Sequence, residues 1–181
     1  MKIQFVELPI PTADGQFVAR YSEKGLAELD FPNVNRRRRG NESPSSHPNG
    51  QTGDSSRRLL PVPGKIRAWH HATEAALKNI LAGNESKALP PLDWNGATKF
   101  QKSVWREMLK ISVGKTKSYG EIARAIGKPR AVRAVGGACG ANPIPVLVPC
   151  HRVLAANNKL GGFSGGLNWK RTLLTREGLS L

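Results

Sequence analysis

The chain has 181 residues, of which 39% are hydrophobic, and a formal net charge of +15 at pH 7. Its apolar runs are all shorter than the roughly 18 residues that a membrane-spanning helix requires, so we expect no membrane partner. The first residues lack the apolar segment of a secretory signal. We therefore expect a cytoplasmic protein, or a nuclear one if its source is eukaryotic.

The positive charge is concentrated in the C-terminal half of the chain. Residues 97–181 hold 15 basic and 3 acidic side chains, a net charge of +12, whereas residues 66–96 are neutral overall. A polyanion binds such a surface because each neutralised phosphate releases condensed counterions. A basic face that only aids solubility would also account for the charge, but its density favours nucleic acid.

The N-terminal region predicts a small sheet interrupted by a basic insert. Residues 2–8 and 16–21 alternate apolar and polar side chains around Asp14-Gly15, which predicts a hairpin, and residues 26–31 predict a third strand. Residues 36–64 are rich in Arg, Ser, Pro, Gly and Asn, which predicts a disordered linker. We expect an N-terminal domain over residues 1–85 and a connection over residues 86–96.

Helical patterns dominate the rest of the chain. An apolar stripe predicts a helix over residues 65–82, and a second helix begins after Thr98, which can cap it. A third is predicted from Ser118, whose capping partner Glu121 follows three residues later, to Gly127.

A short fourth helix, over residues 131–138, follows the basic turn 128–130. Two helices joined by a tight basic turn are typical of the DNA-binding helix-turn-helix. The fourth helix is almost entirely Ala, Gly and Val apart from Arg133. Two tightly packed core helices would explain the small residues but not the arginines.

Cys150 is the candidate nucleophile, since it lies between Pro149 and His151 after a short apolar run. A thiol needs a nearby base or positive charge to react at neutral pH. The local pair is weak support by itself, because most buried cysteines are inert. A disulfide with Cys139 is allowed by count, but a reducing compartment favours two thiols. No Cys and His spacing suits a zinc site of about four ligands, so we expect no metal.

Several short motifs in the C-terminal half occur together with a glycine loop, residues 161–166. The motifs are Phe100-Gln101, Val104-Trp105, and residues 118–123, 127–129, 132–137, 142–143, 148–153, 165–167, 170, 173–174 and 177–178. In this combination the chain resembles the methylated-DNA–protein-cysteine S-methyltransferases, the O6-alkylguanine-DNA alkyltransferase family. The resemblance is strong from about residue 90 onward and weaker over residues 1–85.

The resemblance implies an α+β fold with an N-terminal RNase H-like sheet domain. Residues 97–181 would form a helical, winged-helix-like DNA-binding domain. It further implies DNA repair, in which the alkyl or methyl group of O6-alkylguanine moves irreversibly to the protein's own cysteine after base flipping. Each monomer would act once, without a cofactor, on double-stranded DNA bound through its minor groove.

The resemblance also implies catalytic roles. Cys150 would attack the alkyl carbon, with His151 as base through a bridging water and Glu177 as the group that orients His151. Tyr119 would crowd the 3′ phosphate and protonate a guanine ring nitrogen, which improves the leaving group. Asn142 would tie the recognition helix to the active-site turn.

Two further sets of residues follow from the same resemblance. Arg133 would fill the stack that the flipped base leaves. The other implied DNA contacts are Tyr119, Lys128, Arg130, Ala134 and Gly136. The implied substrate pocket comprises Val153, Phe163, Ser164, Gly165 and Lys170.

The chain departs from some relatives in two ways. Phe163 stands where some relatives have tyrosine, and no cysteine precedes Cys139, so an N-terminal structural zinc site is not expected. The alternative function is a non-enzymatic alkylated-DNA-binding protein, but such relatives typically carry tryptophan in place of the reactive cysteine. A helix-turn-helix transcription factor or a cysteine hydrolase would leave the other motifs unexplained.

Overall fold

A computed structural model of the chain describes residues 5–32, 62–86 and 88–180. These residues form a mixed α/β structure with two small sheets and five α-helices. Residues 36–61 of the predicted linker lie outside the described residues, and its last residue, Gly64, is the first residue of a helix. Within the described ranges, every helix is too short or too polar to cross a bilayer.

The N-terminal sheet is an antiparallel meander with strand order β1-β2-β3. Its strands are β1 (Val6–Thr12), β2 (Gly15–Tyr21) and β3 (Leu26–Asp30). Thr12 pairs with Gly15 across the turn, so β1 continues past the predicted end at Leu8. The continuation includes Pro9 and Pro11, which a strand tolerates at a sheet edge because their missing N–H groups have no ladder partner there.

The first helix, α1 (Gly64–Leu81), packs against β1 and against the last helix. Its buried side chains include Ile66, Leu77 and Ile80. The predicted bounds, residues 65–82, differ by one residue at each end.

Three helices form the helix-turn-helix region and its support. They are α2 (Lys99–Met108), α3 (Tyr119–Ala125) and α4 (Val132–Gly140). Thr98 and Ser118 each cap a helix through a reciprocal capping box, as their sequence spacing predicts. The indole of Trp105 donates to the carbonyl of Ala138 at 2.8 Å, which joins α2 to α4.

A two-residue parallel sheet brings the third helix to the cysteine. In it, β4 (Lys117–Ser118) pairs with β5 (Val153–Leu154). Since β4 ends where α3 begins and β5 follows the short 3₁₀ turn Cys150–Arg152, this pairing holds Tyr119 close to the cysteine segment. The last helix, α5 (Leu167–Arg176), contacts both α1 and that 3₁₀ turn.

The N-terminal hairpin is tied to the C-terminal helix by an ion pair. Two guanidinium nitrogens of Arg176 donate to the two carboxylate oxygens of Asp14, each at 2.7 Å. Arg176 also donates to the carbonyl of Leu81 at 3.0 Å. The two regions share one connected cluster of buried residues, so the ion pair adds to a continuous hydrophobic core.

We expect the Asp14→Asn substitution to lower the free energy of unfolding by about 1 kcal/mol at neutral pH. The hydrogen bond from Arg176 holds the pKa of Asp14 below its ordinary value. The ion pair therefore contributes fully above the ordinary pKa of the carboxyl, and its contribution is lost as pH falls through the lowered value. Urea unfolding should show the difference shrinking as the pH falls below the ordinary pKa of the carboxyl.

Glu85→Gln, at an exposed carboxylate after α1, is the control and should change stability little at either pH. A loss in Asp14→Asn that stays constant from neutral to acid pH would contradict the role of the ion pair.

Candidate active site

Asn142 organises the backbone turn that carries Cys150. Its side-chain oxygen accepts from the Ile144 amide at 3.1 Å, and its Nδ2 donates to the Val148 carbonyl at 2.8 Å. The same Nδ2 lies 3.3 Å from the Sγ of Cys150. Within this turn, Val146 is fully buried with φ of 74°, a conformation that is costly for a β-branched residue. The surrounding contacts therefore hold the turn in a strained shape.

The two cysteines are both buried thiols, but their surroundings differ. Cys150 is 4% exposed and starts the 3₁₀ turn. Cys139 lies on α4 with its sulfur 3.6 Å from that of Met108, and burial raises its pKa to about 12. Cys139 is therefore a protonated, inert thiol at neutral pH.

A buried carboxylate connects the residue after Cys150 to the end of α5. His151 Nε2 and Glu177 Oε1 are 2.8 Å apart, and the His151 side chain is fully buried. The guanidinium of Arg152 donates to both oxygens of Glu177 at 2.9–3.1 Å. It also donates to the Ile111 carbonyl at 2.6 Å. The three side chains form one hydrogen-bonded cluster.

The protonation states of this cluster follow from its surroundings. Burial lowers the pKa of His151, and nearby Arg152 and Lys170 add to that effect. Burial acts to raise the pKa of Glu177, but hydrogen bonds from His151 and Arg152 outweigh it and the pKa is lowered. A neutral imidazole therefore faces a carboxylate, and its Nε2–H must be the donor. The lone pair then lies on Nδ1, which is buried and has no partner among the described residues.

Arg152 belongs to this cluster, a role that its position in the sequence does not predict. It lies inside the 148–153 motif, but only the fold shows that this charged side chain is 6% exposed and paired with Glu177. Burial of an arginine is rare without such a partner, so the pairing explains its position.

The glycine loop lies over Tyr119 and His151. A Cβ on Gly161 would lie 2.7 Å from the hydroxyl of Tyr119, so the loop backbone closely approaches that ring. Burial raises the pKa of Tyr119 above its ordinary value, which keeps the phenol protonated. Phe163 contacts His151 edge-on, with ring centroids 6.4 Å apart. The hydroxyl of Ser164 is buried without a partner in the described part of the chain.

Lys170 connects this loop to β5 from below. Its fully buried Nζ donates to the carbonyl of Val153 at 2.6 Å and to that of Leu160. Burial lowers the pKa of Lys170 to about 8. The structure thus brings Cys150, the two partners Asn142 and Tyr119, and the pocket candidates into one region.

The residues assigned to DNA binding lie on a different surface. Arg133 and Ala134 are exposed on α4, and Lys128 and Arg130 are exposed on the turn before it. A Cβ on Gly136 would meet no atom within 4 Å, which leaves open space beside the helix. Only Tyr119 belongs to both groups of candidates, at the junction between this surface and the cysteine turn.

We expect Glu177→Ala to lower the free energy of unfolding by about 3–5 kcal/mol, because it leaves the buried Arg152 without its carboxylate. Chemical denaturation of the purified protein measures this loss. Glu121→Ala is the matched control, since it removes a carboxylate from an exposed capping box and should cost about 1 kcal/mol. Equal losses in the two variants would show that the buried cluster contributes no more to the free energy of unfolding than an exposed capping box.

A metal site would need several His, Cys, Asp or Glu side chains close together within residues 5–32, 62–86 and 88–180. No group of three or more His, Cys, Asp or Glu side chains in those ranges could hold a metal ion.

The chain is similar to known proteins over both its sequence and its structure. Residues 99–179 match the family described as 6-O-methylguanine DNA methyltransferase, DNA binding domain. The Methylated-DNA--protein-cysteine methyltransferase of Mycobacterium tuberculosis H37Rv is 52% identical over 101 residues, 56% of this chain and 61% of that protein. The inducible Methylated-DNA--protein-cysteine methyltransferase of Bacillus subtilis is 47% identical over 101 residues, 56% of each chain. The chain thus spans about three fifths of these relatives in sequence.

A solved structure extends the similarity to nearly the whole chain. The crystal structure of Mycobacterium tuberculosis OGT in complex with DNA has a TM-score of 0.63 and 35% sequence identity. The match covers 93% of this chain and 90% of that one.

Proposed function

Because the chain belongs to the family of methylated-DNA–protein-cysteine methyltransferases, we propose that it repairs DNA by moving an alkyl group from O6-alkylguanine onto its own Cys150. The observation that carries this proposal is the buried Cys150 next to a neutral His151, whose Nε2 is held by Glu177. The DNA in the related crystal structure supports DNA as the partner.

We infer that His151 Nδ1 takes the proton of the Cys150 thiol through a bridging water. Its lone pair and its lack of a described protein partner support this role. Glu177 and Arg152 keep the imidazole in the right tautomer, as the third group does in other nucleophile–base sets. Asn142 holds the thiolate by its Nδ2.

The reaction then balances within the site. The Cys150 sulfur forms a bond to the alkyl carbon while the bond from that carbon to the guanine oxygen breaks. Tyr119 donates its phenol proton to a ring nitrogen of the departing guanine, and the proton held by His151 returns to the tyrosine. The products are a thioether on the protein and an intact guanine. A thioether is not reduced under cellular conditions, so each molecule acts once.

The pocket candidates support a flipped base above the cysteine. The buried Ser164 hydroxyl has unused hydrogen-bonding capacity that suits the alkylated oxygen. Phe163 offers a ring, Gly165 lets the loop backbone pack closely against Phe31, and Lys170 holds the Val153 carbonyl. A flipped base read by such groups needs no cofactor.

The exposed face of α4 is the proposed contact with duplex DNA. Its small residues, Ala134 and Gly136, allow the helix backbone to approach the minor groove closely, while Arg133 replaces the flipped base in the stack. Lys128 and Arg130 neutralise phosphates. We further infer that the chain binds as a monomer, and that the N-terminal sheet and the helical region correspond to RNase H-like and winged-helix-like domains.

We expect wild-type protein to gain the mass of one benzyl group when incubated with O6-benzylguanine, and of one methyl group with a methylguanine oligonucleotide. Intact mass spectrometry measures both products. Cys150→Ala should gain neither, whereas Cys139→Ala should react like wild type because that thiol is protonated and inert. If wild-type protein binds the methylated duplex but stays unmodified, the alternative of a non-enzymatic lesion binder becomes the better account.

We expect Arg133→Ala to slow repair of duplex DNA by roughly 10- to 100-fold, because an empty stack makes base flipping more costly. Its reaction with free O6-benzylguanine should change little, since no base is flipped. Rates of mass gain on the two substrates give the comparison. Arg171→Ala, which removes an exposed positive charge from α5, is the control and should affect duplex repair much less. Equal losses on both substrates would contradict the intercalating role.

A further inference from the structure

The end of β3 lies directly against the glycine loop of the site. Phe31 follows β3 and is 5% exposed. A Cβ on Gly165 would lie 2.6–2.9 Å from three carbons of the Phe31 ring, which is closer than two such atoms can approach. Gly165 has no left-handed φ, so the ring is the obstacle to a side chain there. The loop and the ring are fitted to each other.

Phe31 also belongs to an aromatic cluster that reaches His151. Its ring centroid lies 5.0 Å from that of Trp169 at the start of α5 and 5.5 Å from that of Phe17. It meets Phe163 edge-on at 5.6 Å, and Phe163 in turn meets His151 edge-on. Edge-to-face contacts of this kind fix ring positions as well as burying area. The N-terminal sheet thus contacts His151, the proposed general base, through the rings of Phe31 and Phe163.

The same strand also contacts the segment that carries the cysteine turn. The Leu29 amide in β3 donates to the carbonyl of Pro143 at 3.0 Å. Pro143 follows Asn142, which holds the cysteine turn. Two residues of one strand segment, Leu29 and Phe31, therefore touch the cysteine turn and the glycine loop. Because both contacts come from one strand segment, that segment helps to fix the distance between the cysteine turn and the glycine loop.

We propose that Phe31 is a positioning residue that sets the width of the alkyl pocket by fixing the glycine loop relative to the cysteine turn. This inference rests on the proposed alkyl transfer. With the ring removed, the loop has room to move away from Cys150. The rate of transfer of larger alkyl groups should then rise relative to the rate for methyl. A Cβ on Gly165 pushes the loop away from Phe31 and narrows the pocket, which has the opposite effect.

The test is a double-mutant cycle of Phe31→Ala and Gly165→Ala on two duplexes that differ only in a methyl or benzyl group on one guanine. The measured quantity is the ratio of benzyl to methyl transfer rates to Cys150, followed by intact mass. We expect Phe31→Ala to raise this ratio and Gly165→Ala to lower it, each by roughly fivefold or more. In the Phe31→Ala background the Cβ has no ring to collide with, so adding Gly165→Ala should change the ratio by less than about twofold.

Ile10→Ala is the control for a purely structural effect, because Ile10 is fully buried in β1, whereas Phe31 follows β3 at the other edge of the sheet. It should lower stability and leave the rate ratio unchanged. If Phe31→Ala does not fold, Phe31→Leu keeps most of the volume without the ring and should shift the ratio in the same direction by less.

Amide hydrogen exchange separates this inference from the proposed function. Exchange of residues 161–166 should be faster in Phe31→Ala by about tenfold and unchanged in Ile10→Ala. If wild-type protein is never alkylated, the alkyl transfer fails while the exchange result still decides whether Phe31 positions the loop. If wild type reacts but neither the rate ratio nor loop exchange responds to Phe31→Ala, the positioning role is wrong.

Discussion

The site depends on one buried carboxylate. Glu177 accepts from Arg152 with both oxygens and from His151 with one, so a single anion fixes two side chains that follow Cys150 in the chain. Moving a carboxylate out of water is costly, and here the cost is offset by three close N–H donors, two of them on the Arg152 cation. Because Glu177 keeps its charge, the imidazole points its remaining lone pair inward. The tautomer of the base, and with it the proposed chemistry of the neighbouring thiol, is set by this arrangement.

The N-terminal sheet shapes that site from a distance in sequence. Its third strand supplies a backbone hydrogen bond to Pro143 and an aromatic ring to the glycine loop. The sheet region therefore contacts two segments that are separated by about twenty residues, the cysteine turn and the glycine loop. The structural similarity likewise extends well beyond the matched DNA-binding region, residues 99–179. The N-terminal sheet therefore contributes contacts to the glycine loop and the cysteine turn in addition to its own core.

Local signals in the sequence were enough to predict the capped helices and the hairpin. Ser118 with Glu121, and Thr98 at the start of α2, form the capping interactions that their spacing predicts. The first strand was predicted too short because its prolines are compatible with a strand only at an edge, and strand order is not visible in local pattern. Arg152 and Phe31 had no local signal at all. One depends on a carboxylate 25 residues away, and the other on a glycine at the far end of the chain. Such long-range partners are determined by the fold.

Arg176 and Glu177 are consecutive residues whose side chains bind different parts of the structure. Arg176 binds the hairpin through Asp14. The carbonyl oxygen of Arg176 also lies close to Gly83, 2.0 Å from where a Cβ on that glycine would be. Glu177 binds His151 and Arg152. Because the two residues are consecutive, a local opening at the end of α5 would disturb both sets of contacts. The hairpin, the end of α1 and the imidazole are therefore coupled into one cooperative opening unit. Amide exchange in these distant segments should therefore report one opening free energy, with the Cys150 segment opening only together with the hairpin.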